Sequence, residues 1–210
     1  MPRTNPDARL LVFTKAPRAG AVKTRLVSLL GEEGASSLQR RLIVHTLATA
    51  RRAAIGALEL HAAPDCDDAF LQSCAGRYGA RLVAQVPGDL GTRMASAMSR
   101  ALAESARAIA IGTDCPVLSA RHLVAACNAL SDNEAVLIPT EDGGYALIGL
   151  VQHEPRLFRD IEWGTERVMN QTRARLSELG RRWHEMETLW DVDRPEDYRR
   201  LEALTLMLES

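Results

Sequence analysis

Lysine is nearly missing from this chain. The 210 residues hold 26 Lys and Arg, yet only Lys15 and Lys23 are lysine, and both fall within one 17-residue stretch, LLVFTKAPRAGAVKTRL. Charge of either sign is also missing in sum, because the net charge is −1. That excludes the global positive field by which a protein gathers nucleic acid or an anionic membrane, so any phosphate recognition must be local. Aromatics are scarce, at 4%, too few for a stacking platform that tracks single strands. The four cysteines, Cys66, Cys74, Cys115 and Cys127, form no CxxC pair and stand beside no histidine at zinc-site spacing. They read as reduced, small residues of the core or surface. No apolar run approaches membrane-spanning length. The N-terminal apolar run is short and ends in Lys and Pro, so no leader is expected and a cytoplasmic location is.

Short apolar runs alternate with amphipathic ones along the chain. Strands are expected over 8–16, 57–64, 80–87, 107–114 and 134–140, and helices over 32–53, 67–79, 92–105 and 119–132. The first helix carries Leu38, Leu42, His45 and Thr46 near one stripe; Gly79 suits a left-handed stop, and Thr92 and Ser119 suit caps. Such interleaving favours a mostly parallel sheet with helices on both faces. The rhythm changes after Thr140. A further strand over 143–151 follows almost directly, which predicts a hairpin or an antiparallel insertion. A helix over 165–180 begins at Thr165 and stops at Gly180; 182–193 is extended and mixed. The last helix opens at DRPED, where Asp193 and Glu196 suggest a capping box and Pro195 sits in the first turn. No linker or repeat divides the chain, so one domain over 1–210 is expected.

Ligands of open α/β sheets bind beyond the carboxyl ends of the strands, so the loops there carry the chemistry. The first, KAPRAGAVKTRL, is not a P-loop: Pro17 and Val22 stand where the two glycines belong. It remains a turn at Gly20 with four cations, Lys15, Arg18, Lys23 and Arg25, suited to a diphosphate held by point charges and bidentate forks. PGDLGTRM offers a helix start with Asp89 and Arg93 for ribose or phosphate. In GTDCPVLS, Asp114 ends the most apolar strand, where a carboxylate is costly unless it is paired, hydrogen-bonded as the cap of the next turn, or bound to metal; Mg²⁺ takes one or two carboxylates beside phosphate oxygens and water. PTEDGGYALIGL places Glu141 and Asp142 before Gly143, Gly144 and Tyr145. This suits an acceptor pocket with Asp142 as base or hydroxyl anchor, or an Asp-Gly turn, or both. WDVDRPED sets Asp191 and Asp193 at a spacing that points both the same way on an extended segment.

Taken in order, FTKAPRAGAVKTRL, PGDLGTRM, IGTDCPVL, PTEDGGYALIGL, EWGTERV and DVDRPEDYRRL resemble a family of small bacterial proteins labelled radical-SAM/selenodomain-associated transferase, type 1. The resemblance spans about residues 9–201. It implies a three-layer α/β/α, Rossmann-like nucleotide-diphospho-sugar transferase (glycosyltransferase-A) fold with a mostly parallel mixed sheet. The family is also similar to the guanylyltransferases of molybdenum-cofactor and deazaflavin-cofactor synthesis. By that resemblance the first loop holds the nucleotide phosphates; if the chemistry is nucleotidyl transfer, Lys15, Lys23 and the metal stabilise its transition state. Asp114 with Asp191 or Asp193 shares a Mg²⁺ or Mn²⁺ ion, and Gly164 and Thr165 take an acceptor phosphate. The loop lacks the Gly-Gly-x-Ser/Thr-x-Arg form of the molybdenum-cofactor enzymes, so a guanine preference is not implied. The expected activity is glycosyl transfer from a nucleotide sugar to a small-molecule acceptor. The alternatives are nucleotidyl transfer from a nucleoside triphosphate, with pyrophosphate release, and a non-catalytic nucleotide- or sugar-binding module.

Overall fold

The computed structural model describes residues 8–209; the first residues of the stretch read for a leader lie outside it, as does Ser210. Seven strands form one sheet: β1 (Ala8–Lys15), β2 (Ala57–Ala63), β3 (Arg81–Ala84), β4 (Arg107–Ile111), β5 (Ala135–Pro139), β6 (Tyr145–Leu150) and β7 (Trp183–Glu185). Six helices accompany them: α1 (Val27–Ala53), α2 (Ala69–Tyr78), α3 (Leu90–Glu104), α4 (Ala120–Ala129), α5 (Val168–Glu178) and α6 (Pro195–Glu209). The strand order is β3-β2-β1-β4-β6-β5-β7. All pairs are parallel except those of β6, which runs antiparallel to both β4 and β5. The link from β5 to β6 is too short for a parallel crossover. β6 therefore turns back as a hairpin arm and inserts between β4 and β5, which meets both halves of the expectation for this segment.

Alternation along the strands sorts the apolar side chains onto two faces. Leu10, Val12, Ile109, Ile111, Val136 and Ile138 join the core beneath α1, α2 and α4. Leu11, Ala108, Ala110, Ala135 and Leu137 join a second core with Met94, Met98 and Met169 of α3 and α5. The mixed α/β sheet thus has helices on both faces. Among the described residues, no helix is long and apolar enough to cross a membrane.

Several helix ends differ from their expected places. α1 starts at Val27, with a break at Gly31 (φ 70°, ψ 169°) just before the expected start. His45 lies exposed, whereas Gln39, Ile43 and Thr46 are buried. α3 is capped by Asp89, whose carboxylate accepts the Thr92 N–H at 2.8 Å; Thr92 is therefore in the first turn and not the cap. α5 begins at Val168 because Thr165 is spent on the preceding turn, donating to Glu162 O and accepting the Arg167 N–H. At α6 the capping acid is Asp197, which accepts the N–H groups of Asp193 and Arg194. Glu196 does not fill that role, and the Asp193 carboxylate is taken by Arg25. Ser119 caps α4 as expected, in a reciprocal box with His122.

Candidate functional site

The carboxyl ends of β1 and β4, the loop at 21–25 and the turn at 85–93 enclose a cleft of about 640 Å³. Its floor is a buried polar network. The Gln39 amide, from the middle of α1, donates to Thr113 Oγ1 at 3.0 Å and faces Thr14 Oγ1 at 3.4 Å. On one wall, Gln85 donates to the carbonyls of Thr14 and His61. Phe13 also lines the cleft and stacks on the buried His61, with centroids 4.9 Å apart. Behind that stack, Glu59 receives His61, Arg9 and Arg81. Burial acts against its charge, yet these hydrogen bonds prevail and hold its pKa down at about 2.

The cations of the first loop divide. Lys15, the last residue of β1, is exposed on the cleft and has no ion-pair partner among the described residues. Lys23 is buried, in left-handed conformation, with Nζ 2.7 Å from Asp114 Oδ1 and donating to Val192 O at 2.6 Å. Arg25 lines the cleft and pairs with Asp193. Arg18 turns to Asp65 beyond β2 and is not among the lining residues; Gly20 sits against the Glu32 carboxylate. Asp89 and Arg93 line the opposite wall. Hydrogen bonds from Thr92 hold the Asp89 pKa below its usual value, and Arg93 Nε donates to Gly88 O at 2.9 Å.

Beside the cleft the carboxylates gather. Asp191 is half-buried, and burial, with the charges of Asp142 and Asp114, pushes its pKa up to about 7. Three acids, from the loop after β4, the β5–β6 turn and the segment before α6, thus share one field. Asp193 faces Arg25 instead, so the two acids of DVD part company. Asp142 Oδ1 accepts from Thr140 Oγ1 at 2.5 Å and from the Gly144 N–H at 3.0 Å, an Asx turn that leaves Oδ2 free of these bonds. Gly143 has φ 86°, and a Cβ there would stand 2.2 Å from Glu166 O; only glycine allows this turn to lie against the loop before α5. Glu141 pairs with Arg200 at 2.8 Å. The Tyr145 hydroxyl is buried against Met94 Sδ, and burial raises its pKa. Its ring meets Trp163 edge-on at 6.3 Å, with Gly164 and Thr165 following in an exposed turn. Cys115, beside Asp114, stays a thiol because burial pushes its pKa up to about 12.

Sequence reading passed over Gln39, Gln85, Thr14 and Thr113. A glutamine at the spacing of a buried helical stripe (39, 43, 46) is the one signal that pointed to the floor. Among the described residues no three His, Cys, Asp or Glu side chains are grouped to hold an ion by themselves.

An open, mostly parallel sheet with a polar cleft at its strands' carboxyl ends defines a Rossmann-like α/β protein. The chain belongs to the DUF2064 family, described as "uncharacterized protein conserved in bacteria", whose profile matches residues 46–165. A search of curated proteins finds no match. Among solved structures, a "putative nucleotide-diphospho-sugar transferase" from Desulfovibrio desulfuricans G20 is similar at 28% identity and TM-score 0.83, over 90% of this chain and 83% of that one. A CMP:2-keto-3-deoxy-manno-octonic acid synthetase complexed with CTP shares the fold at 12% identity and TM-score 0.63, over 96% and 99%. So does Rv0371c of Mycobacterium tuberculosis H37Rv in complex with manganese, at 19% identity and TM-score 0.60, over 93% and 97%.

Proposed function

We propose that this chain is a transferase that binds a nucleotide through its diphosphate in the cleft and transfers a glycosyl group from a nucleotide sugar to a small-molecule acceptor. The observation that carries the reading is the placement of Lys15, Lys23, Arg25 and Arg93 around one polar cleft, with a gathering of carboxylates at its edge. Lys15 and Arg93 take phosphate oxygens directly, as a point charge and a fork. Asp89 and Gln85 face the ribose and base side. The naming of the Desulfovibrio neighbour, at 28% identity, supports a sugar nucleotide as donor.

The donor set fits a divalent ion. Asp114 and Asp191 are carboxylates close enough to repel, and Mg²⁺ or Mn²⁺ takes such a pair and completes its shell with phosphate oxygens and water. We assign the ion to Asp114 and Asp191, since Asp193 is engaged by Arg25. When bound, such an ion neutralises the leaving diphosphate. The manganese complex of a fold neighbour supports this choice of metal. Asp142, oriented through Oδ1 by Thr140 and Gly144, presents Oδ2 to accept the proton of the acceptor hydroxyl. Glu141 and the Gly164–Thr165 turn flank the acceptor side.

The test is a thermal-shift panel of nucleotide sugars and nucleoside triphosphates with Mg²⁺ or Mn²⁺, followed by ³¹P NMR of turnover. A stabilising nucleotide sugar, and release of nucleoside diphosphate, are the expected results; a ligand at 100 times its dissociation constant adds about 2.7 kcal/mol. Pyrophosphate release from a triphosphate would replace glycosyl with nucleotidyl transfer. Binding without turnover across acceptors would leave a sensing module.

A further inference from the structure

Lys23 is the least ordinary residue of the cleft. It holds φ 48° although it carries a side chain, and that side chain is 4% exposed, rare for lysine. Its ammonium meets the Asp114 carboxylate and the Val192 carbonyl at 2.7 and 2.6 Å. The Val192 N–H in turn donates to the Asp114 carbonyl at 2.8 Å, so these two oxygen donors are fixed side by side by the backbone. A carboxylate and a carbonyl around a positive charge are the ligand types of a hard divalent cation. Asp114 itself is 51% exposed, so an ion can reach it from the cleft, but Lys23 already holds one of its oxygens.

We propose that Lys23 is the resident cation of the metal seat: its ammonium competes with the divalent ion for Asp114, and the nucleotide's phosphates admit the ion by drawing Lys23 away. The inference rests on the nucleotide reading above. Two like charges at one carboxylate repel, so metal alone binds weakly. A diphosphate offers Lys23 a stronger acceptor and frees the seat. By reciprocity, nucleotide raises metal affinity by the same factor as metal raises nucleotide affinity. Lys23 thereby makes the two ligands arrive together. The long-range ties of Lys23, to partners 91 and 169 residues away in sequence, also explain why the loop at 21–25 is pinned before any ligand enters.

The experiment is a Mn²⁺ titration of the full chain, without nucleotide, read by electron paramagnetic resonance. Wild type is compared with Lys23→Met and with Arg18→Met, which removes a charge from the same loop outside the cleft. Lys23→Met is expected to bind Mn²⁺ at least tenfold tighter than wild type, with Arg18→Met like wild type. Adding a nucleoside diphosphate brings the wild-type affinity towards that of Lys23→Met. Equal Mn²⁺ affinity in wild type and folded Lys23→Met overturns the inference, and nucleotide binding retained in that experiment leaves the transferase reading standing. Tight Mn²⁺ in Lys23→Met without binding of any nucleotide to wild type keeps the competition at Asp114 but overturns the transferase reading and, with it, the release of Lys23 by phosphates. If Lys23→Met fails to fold, the wild type answers alone. It has two lysine ammonium signals in ¹⁵N NMR, separable with Lys15→Arg. Movement of the Lys23 signal with Mg²⁺ and nucleoside diphosphate together is expected; Mg²⁺ alone saturating a site while that signal stays put overturns the inference.

Discussion

The Gln39 side chain, from the middle of α1, donates to the Thr113 hydroxyl just beyond β4 at 3.0 Å. This bond crosses 74 residues of sequence and ties a helix of the first core to the floor of the cleft. A buried polar group keeps its place only while its partners are present. Gln39→Leu should lower stability by about 1–3 kcal/mol, since it leaves the Thr113 hydroxyl without this donor. Urea unfolding at pH 7 reads the loss. Nucleotide affinity should fall with it, beyond what the folded fraction explains.

Lys15 and Arg18 stand three residues apart and should behave differently. Lys15 is exposed on the cleft; Arg18 faces Asp65 outside it. Lys15→Met should leave stability within about 0.5 kcal/mol and weaken nucleotide binding at least tenfold. Arg18→Ala should leave both within about twofold, as an exposed ion pair contributes only about 0–1 kcal/mol. Calorimetric titration of both variants with the best nucleotide of the panel decides it. A loss for Arg18→Ala equal to that for Lys15→Met would redraw the phosphate site.

Glu59 sets a pH dependence of stability. Its folded pKa, about 2, lies below the ordinary 4.5, so its stabilisation is complete above 4.5 and is lost as pH falls through about 2. The contribution at pH 7 is on the order of 3 kcal/mol. Glu59→Gln should be less stable than wild type by about that much at pH 7. The gap should close as pH is lowered from 5 to 2, followed by chemical unfolding at each pH. A gap constant across that range would show that packing, and not charge, holds Glu59.

Gly143→Ala tests the acceptor turn. Its Cβ would meet Glu166 O at 2.2 Å and would hold φ 86°, so either the turn or the loop before α5 must move. We expect a loss of about 2–4 kcal/mol by thermal unfolding, combining overpacking with backbone strain. Gly164→Ala, where a Cβ has open space, should lose only about 1 kcal/mol, from its left-handed backbone alone.

The strands were legible because burial wrote them in local composition. RAIAI of β4 and AVLIP of β5 are apolar on both faces, as buried strands are. The reversal of β6 followed from a link too short to cross over. β7 lies inside the stretch read only as extended and mixed, 182–193, because its three residues are all partly exposed and form no apolar run that marks a strand. Lys23 looked like one of four loop cations, since nothing nearby announces that it will be buried against Asp114. Asp191 and Asp193 were indistinguishable at the same spacing; Arg25, 168 residues away from Asp193, parts them. Local pattern reads elements well, but a site assembled from five separate loops is decided by partners that the pattern does not contain.

The reversed strand β6 has one more effect. It sets β4 and β5 two strand spacings apart, about 9.6 Å, and so fixes the gauge between the loop bearing Asp114 and the turn bearing Asp142. Ladder bonds on both sides hold that gauge whatever the turn contains. The turn at 140–144 is therefore the tip of an arm braced from both sides, and its distance from the loop bearing Asp114 is set by the sheet, while its own shape is set by Gly143 against Glu166.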